Sequence, residues 1–389
     1  MISPARVTAF EVLRLVEQGG YAADLLASRS GGLESRDAGL ASEIVLGALR
    51  YQSQLDFLIE HFSGRAAPRL DPEVRIALRL GIYQLRYLDR VPAHAAVSQS
   101  VELAKRARRR SAAGLVNAVL RKVHRDPAPW PDRATELSHP AWLLERWERH
   151  FGPETAAKIA RANLAVPETY VRVPAGEGSS LVQLEPTEIP GCFRLVAGEP
   201  GAWRIQDIGS QSIVPLLELA PGHRFLDLCA APGNKTAQAL EYGVRAVACD
   251  CHGSRLRLMK SLGCELVVLD SAAPLPFACR FDRILVDAPC SGTGTLAHNP
   301  EIKWRLQPSS LLELHQLQVE LLRNALERLA PGGRLVYSTC SLEPEENEEV
   351  VSSRGIAACV LGVHRRLPGI HPGDGFFAAV LTSNESLND

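Results

Sequence analysis

The stretch "RFLDLCAAPGNKT" (Arg224–Thr236) decides the fold of the larger part of this 389-residue chain. Its opening run is apolar without polar alternation, as in a strand buried on both faces. The run breaks into a turn of small residues and resumes at Lys235 as a helix. Four runs of the same kind follow: "RAVACD" (245–250), "ELVVLD" (265–270), "FDRILVDAP" (281–289) and "GRLVYSTC" (333–340). Helical segments separate them, the longest roughly Pro308–Leu329. This alternation predicts a parallel sheet covered on both faces, with ligands gathering at the carboxyl ends of the strands. Those ends carry Asp227 and Cys229, Asp250, Asp270, Asp287 with Cys290, and Cys340.

Upstream the pattern changes. Residues 1–126 read as a helical bundle, with apolar stripes such as Val74, Leu78, Ile82 and Leu85 at helical spacing. The proline-rich "DPAPWPD" (Asp126–Asp132) marks a linker. Residues 138–205 combine an amphipathic helix, "HPAWLLERWERHFG", with short strands "PETYVRV" and "GCFRLV", and are expected to form a small α/β bridging subdomain. The sheet-forming domain then runs from 206 to 389.

Composition narrows the setting. At 46% hydrophobic and 22% charged residues, the chain has the balance of a soluble multidomain protein. It shows neither a secretory leader nor an apolar run long enough to span a membrane, and a cytoplasmic location is expected. Nine scattered cysteines without a CxxC pair argue against disulfides and zinc. The overall charge is −1, yet residues 1–125 hold 19 Lys+Arg against 12 Asp+Glu, densest in "KRARRR" (Lys105–Arg110). A basic module joined to an acidic one suits docking to a polyanion. No metal, membrane or second copy is expected as a partner.

The motifs point to one chemistry. In "DLCAAPGNKT" the loop Cys229, Ala230, Ala231, Pro232, Gly233, Asn234 and Lys235 is neither GxGxxG nor a P-loop. Its small residues let a ligand approach the backbone, Asp250 suits ribose hydroxyls, and Asp270 suits an adenine amino group. A nucleoside with a zwitterionic amino-acid tail uses all three, which describes S-adenosylmethionine. "DAPCSGTGTL" (Asp287–Leu296) sets a carboxylate and a thiol within four residues. Cys340 alone reads as a small buried hydrophobe. Two thiols beside a methyl donor suggest addition of a thiolate to C6 of cytosine, which makes C5 nucleophilic. Downstream, "NPEIKWRL" offers Lys303 and Arg305 for phosphates and Trp304 for base stacking.

"DLCAAPGNKT", "DAPCSGTG" and "YSTCSLEPEEN" (Tyr337–Asn347) resemble the three principal motifs of the RNA cytosine-C5 methyltransferases. "RVTAFEVL", "VNAVLRK" and "SHPAWLLERW" are similar to the NusB-like part of the RsmB (Sun) branch, which modifies small-subunit ribosomal RNA. The resemblance implies an all-α NusB-like bundle, the bridging subdomain, and an α/β Rossmann-like domain dependent on S-adenosylmethionine. It implies that residues 229–235, Asp250, Asp270 and Asp287 line the donor site. Cys340 would be the nucleophile, Cys290 would assist proton removal and release, and Asp287 would lie near the target base. RNA, 16S ribosomal RNA foremost, is the implied partner, with tRNA as the other RNA substrate and a decayed, RNA-binding assembly factor as the alternative class. Two departures stand out: Asn234 replaces a glycine, where its tolerance of a left-handed backbone is expected to preserve the turn, and the short span between Val350 and Gly373 suggests trimmed final strands. The acidic Glu343, Glu345 and Glu346 are expected to open the next helix.

Overall fold

The computed structural model describes residues 2–126, 128–174 and 182–383; Pro127 of the expected linker and the turn at 175–181 lie outside them. Contacts divide the chain into two units, Met1–Val166 with Leu296–Arg305, and Pro167–Thr295 with Leu306–Asp389.

The first unit begins with helices α1 (Pro4–Val16), α2 (Ala22–Ser30), α3 (Ser35–Arg50), α4 (Gln52–Ser63), α5 (Pro72–Tyr87), α6 (Ala93–Arg106) and α7 (Ala113–Leu120). Asp71-Pro72 opens α5 as the sequence predicts, with proline where a helix has no intrahelical use for its N–H. The apolar stripes meet in one core that includes Val12, Ile44, Leu58, Ile76, Leu80 and Val116, all nearly inaccessible. The helices Ala141–Phe151 and Pro153–Leu164 belong to this unit, so the expected bridging subdomain 138–205 does not hold together as one body. Trp147 and Leu143 are fully buried, and Ser138 Oγ takes a hydrogen bond from Ser53 N at 3.3 Å. A helix with so strong an apolar face must cover it against another element.

The second unit has two sheets. Strands β1 (Tyr170–Arg172), β2 (Gln183–Pro186), β3 (Cys192–Ala197) and β4 (Arg204–Ile205) pair antiparallel in the order β2-β3-β1-β4. The large sheet holds β5 (Arg224–Leu228), β6 (Arg245–Asp250), β7 (Glu265–Val268), β8 (Phe281–Asp287), β9 (Leu329–Thr339), β10 (Ala358–Arg366) and β11 (Phe376–Ser383). Its order is β10-β11-β9-β8-β5-β6-β7. The five runs read from the sequence pair in parallel, while β10 and β11 close the sheet antiparallel beside β9. The final strands are therefore present, and the expectation that they are trimmed is corrected. Strand order reverses between β5 and β8, where such sheets take up ligands. No described helix is long and apolar enough to cross a membrane.

A second correction concerns "IKWR". Lys303, Trp304 and Arg305 do not form an RNA-facing strip; their polar ends are spent on backbone carbonyls of the helical unit. Lys303 is fully buried and donates to Arg50 O at 2.9 Å, and burial, aided by the Arg50 charge, holds its amine well below the ordinary lysine range. Trp304 Nε1 donates to Leu49 O at 2.7 Å, and Arg305 Nη2 donates to Val16 O at 2.7 Å. These groups satisfy carbonyls that helix ends leave unpaired. Trp304→Phe, which removes one buried donor, should lower unfolding stability by about 1–2 kcal/mol in denaturant titration while leaving RNA affinity unchanged. A loss of RNA affinity without loss of stability would restore the base-stacking role.

Candidate active site

The site grows from five neighbouring strand ends in the second unit. β5 ends at Leu228, and Cys229 turns the chain with a left-handed φ of +63°. Gly233 takes φ +104°, and a Cβ there would meet Met259 Cγ at 2.8 Å. The left-handed turn thus falls on Gly233 rather than on Asn234, which begins the helix Asn234–Leu240. The replacement of glycine by asparagine costs the loop nothing, because a helical residue needs no positive φ.

Asp250, at the end of β6, is buried and holds the loop by accepting from Ala231 N (3.2 Å) and from His252 N (2.8 Å). Asp270 follows β7, is exposed, and accepts from Ala272 N at 3.0 Å. Two carboxylates on adjacent strand ends beside a loop of small residues are acceptors that fit the hydroxyls of an adenosine ribose and its amino group. Asp227 lies beneath, fully buried, accepting from Thr236 Oγ1 at 2.6 Å. Burial pushes its carboxyl up to about 7, against that hydrogen bond.

At the junction of β8 and β9 the residues singled out by the sequence come together. Asp287 accepts from Lys235 Nζ at 2.7 Å and from Ser338 Oγ at 2.8 Å. Burial alone would lower the Lys235 amine, but the Asp287 charge and hydrogen bond outweigh it and hold it above the ordinary lysine value. The ammonium also lies close enough to feel charge on Cys340. Cys290 Sγ and Cys340 Sγ are 3.4 Å apart, a sulfur–sulfur hydrogen bond. That bond, with burial, raises the Cys290 thiol well above the ordinary range. The glycine-rich loop after Cys290 brings backbone to backbone: Gly294 N donates to Cys340 O at 2.9 Å, and a Cβ on Gly294 would sit 2.3 Å from Gly375 O.

The acidic segment does open a short helical turn, Pro344–Glu346. Glu346 has a further part that the sequence does not announce: it is buried and accepts from Ser291 and Ser341, the residues that follow the two thiols. The polar Ser-Gly and Ser-Leu steps after each cysteine were the only hint of this partner. Lys303, Trp304 and Arg305 are not part of this constellation.

An open sheet with small-residue loop, paired carboxylates and a thiol pair defines a methyltransferase of the class that uses S-adenosylmethionine. Residues 214–382 match the family model described as 16S rRNA methyltransferase RsmB/F, and residues 3–125 match the NusB family. A ribosomal RNA small subunit methyltransferase B from Klebsiella pneumoniae is 33% identical over 419 residues, covering 96% of this chain and 97% of that protein. The crystal structure of PH0851 superposes with a TM-score of 0.80 at 24% identity, covering 98% of this chain and 99% of that one. A methyltransferase homolog from Pyrococcus horikoshii gives a TM-score of 0.56 at 27% identity, covering 64% of this chain and 96% of its own. The chain belongs to the RsmB/F family of ribosomal RNA methyltransferases. S-adenosylmethionine is accordingly its cofactor, and residues 229–235 with Asp250 and Asp270 are the groups whose chemistry fits it.

The Asp227 carboxyl gives a pH signature. Its folded value, about 7, lies above the ordinary 3.8, so the folded chain keeps a proton that the unfolded chain has lost. Stability from this group is complete below the unfolded value and falls as pH rises through the folded one. Asp227→Asn should therefore match wild type near pH 4 and exceed it by roughly 2–4 kcal/mol near pH 8, read as unfolding free energy at both pH values. A constant difference at all pH values would contradict the assignment.

Proposed function

We propose that this protein methylates C5 of cytosine in RNA, 16S ribosomal RNA foremost, through a transient bond between Cys340 Sγ and cytosine C6. The observation that carries the reading is the pair of thiols 3.4 Å apart beside the Lys235–Asp287 ion pair. S-adenosylmethionine, when bound, supplies an electrophilic methyl group. Cys340, as thiolate, adds to C6; the electron pair of the C5–C6 double bond moves toward C5, which takes the methyl group. As negative charge builds on the ring, the Lys235 proton passes to Asp287, whose carboxyl donates a hydrogen bond to ring nitrogen N3 and offsets that charge; the proton returns to Lys235 when the double bond re-forms. The C5 proton then passes to Cys290 Sγ, its electron pair re-forms the double bond, and the Cys340–C6 bond breaks to return the thiolate.

The order of events follows from the thiol pair. Cys290 is held protonated first by its hydrogen bond with Cys340, then by burial and by the charge of Cys340. Once Cys340 Sγ is bonded to carbon, that partner is gone. Cys290 can then release its own proton to solvent and act as base for the C5 proton. A base that becomes available only after the nucleophile is committed suits this sequence of steps.

The proposed RNA-docking surface is the basic run of the helical unit. Lys105 pairs with Glu102 and Arg109 with Glu73, whereas Arg106, Arg108 and Arg110 are exposed with no ion pair among the described residues. Such free cations contribute affinity through release of counterions. Replacing all three by alanine should flatten the slope of log affinity against log salt by about 2–3, leaving donor binding intact.

The test of the chemistry uses labelled S-adenosylmethionine, isolated RNA classes and bisulfite mapping. Label in 16S ribosomal RNA at a cytosine is expected. Label confined to tRNA would replace the substrate, and no label in any RNA would sink the enzymatic reading. Cys340→Ala should abolish turnover and adduct, while Cys290→Ala should accumulate an RNA adduct that survives a denaturing gel. The opposite pattern would exchange the two roles.

A further inference from the structure

The thiols sit on two separate loops, and nothing in the reaction scheme explains what keeps them 3.4 Å apart. Glu346 supplies that link. One of its oxygens accepts from Ser291 N at 2.7 Å and from Gln318 Nε2 at 3.1 Å. The other accepts from the hydroxyls of both Ser291 and Ser341. Ser291 follows Cys290 and Ser341 follows Cys340, so one carboxylate ties the two loops directly behind their thiols. Gln318 also donates to Pro289 O at 2.8 Å, which fixes the far side of the Cys290 turn. Tyr337 Oη, donating to Glu346 O at 2.6 Å, anchors the backbone of the acidic segment to β9.

No lysine or arginine pairs with Glu346 among the described residues, so its charge is balanced by neutral donors alone. Burial pushes its carboxyl above the ordinary range, and the Ser291 and Ser341 hydrogen bonds pull part of the way back. We propose that Glu346 is the positioning residue of this site: a buried carboxylate that locks the Cys290 loop to the Cys340 loop and sets a negative charge behind Cys290. The lock holds the geometry needed for addition and release. The charge opposes a thiolate on Cys290, and so favours Cys340 as the sulfur that attacks. Titratable groups beside the two thiols are Asp287 on β8, Tyr337 on β9 and Lys235 on the loop helix, while His315 packs against the acidic segment, its Nδ1 2.7 Å from Glu345 O. Of these, burial holds Tyr337 well above its ordinary range, and so neutral.

The inference rests on the roles proposed for the thiols, and its test separates the two. In the full chain, without RNA or donor, alkylation of Cys290 by iodoacetamide is followed against pH by peptide mass spectrometry. Glu346→Gln removes the charge, while serine hydroxyls can turn to accept from its amide. It should shift the Cys290 profile to lower pH by roughly half to one unit. Ser291→Ala, which keeps the charge, should shift it far less. In the second arm, Glu346→Ala and Ser341→Ala should slow formation of the denaturant-stable RNA adduct at least about tenfold, with S-adenosylmethionine affinity within about twofold of wild type. If Glu346→Ala does not fold, Glu346→Gln and Ser341→Ala decide the matter. A Cys290 profile unchanged in Glu346→Gln, or adduct formation unchanged in the loosened variants, overturns the proposal. A wild-type protein that methylates no RNA overturns the function instead, and leaves the alkylation arm readable.

Discussion

The parallel register of β8 with β9 is the constraint on which the site depends. Asp287 lies opposite Ser338, and Ala288 N donates to Ser338 O at 2.9 Å before the two chains part. Cys290 and Cys340 follow on the two diverging loops. Because side chains alternate along a strand, a slip of one residue would turn Ser338 away from Asp287 and carry Cys340 to the opposite face. The apolar residues Val286 and Tyr337, paired in the same ladder and both fully buried, make such a slip expensive. Core packing therefore enforces the spacing of the reactive atoms, and the polar contacts refine it.

Around that ladder the charges are arranged unevenly. Lys235 and Asp287 form a pair with Cys340 within reach of the ammonium, whereas Cys290 has the Glu346 carboxylate behind its loop. Two chemically identical side chains thus have different charged neighbours. An asymmetric environment of this kind is a general way to assign separate tasks to like groups.

How much of this was legible in the sequence depended on range. Strand runs and the small-residue turn are local patterns, and the five parallel strands, the turn that ends β5 and the meeting of both thiols at neighbouring strand ends follow from them. The resemblance added the cytosine chemistry, which spacing alone suggests but does not fix. Contacts between residues far apart in sequence were not legible. Glu346 looks like one of a row of surface carboxylates until the fold brings it to Ser291, 55 residues away. "IKWR" looks like an exposed cationic patch because short charge runs are usually solvated. Its burial depends on carbonyls at helix ends some 250 residues earlier, such as Arg50 O. Likewise the helices of 138–165 read as a separate piece, since their apolar faces do not announce which body they cover.

The detour of Leu296–Arg305 changes what counts as a separable part of this protein. Immediately after the Cys290 loop the chain leaves the sheet-bearing unit, is fastened in the helical one, and returns. A gene fragment starting near Pro167 would contain both thiols, Lys235 and Asp287 and still be incomplete. It would carry the Lys303 amine, the Trp304 indole and the Arg305 guanidinium without the carbonyls of Arg50, Leu49 and Val16 that receive them. Sequence boundaries suggest two modules joined end to end; the covalent path makes them interlaced. Any transplant of the sheet-bearing unit onto another N-terminal domain must therefore bring a replacement socket for ten residues of its own chain.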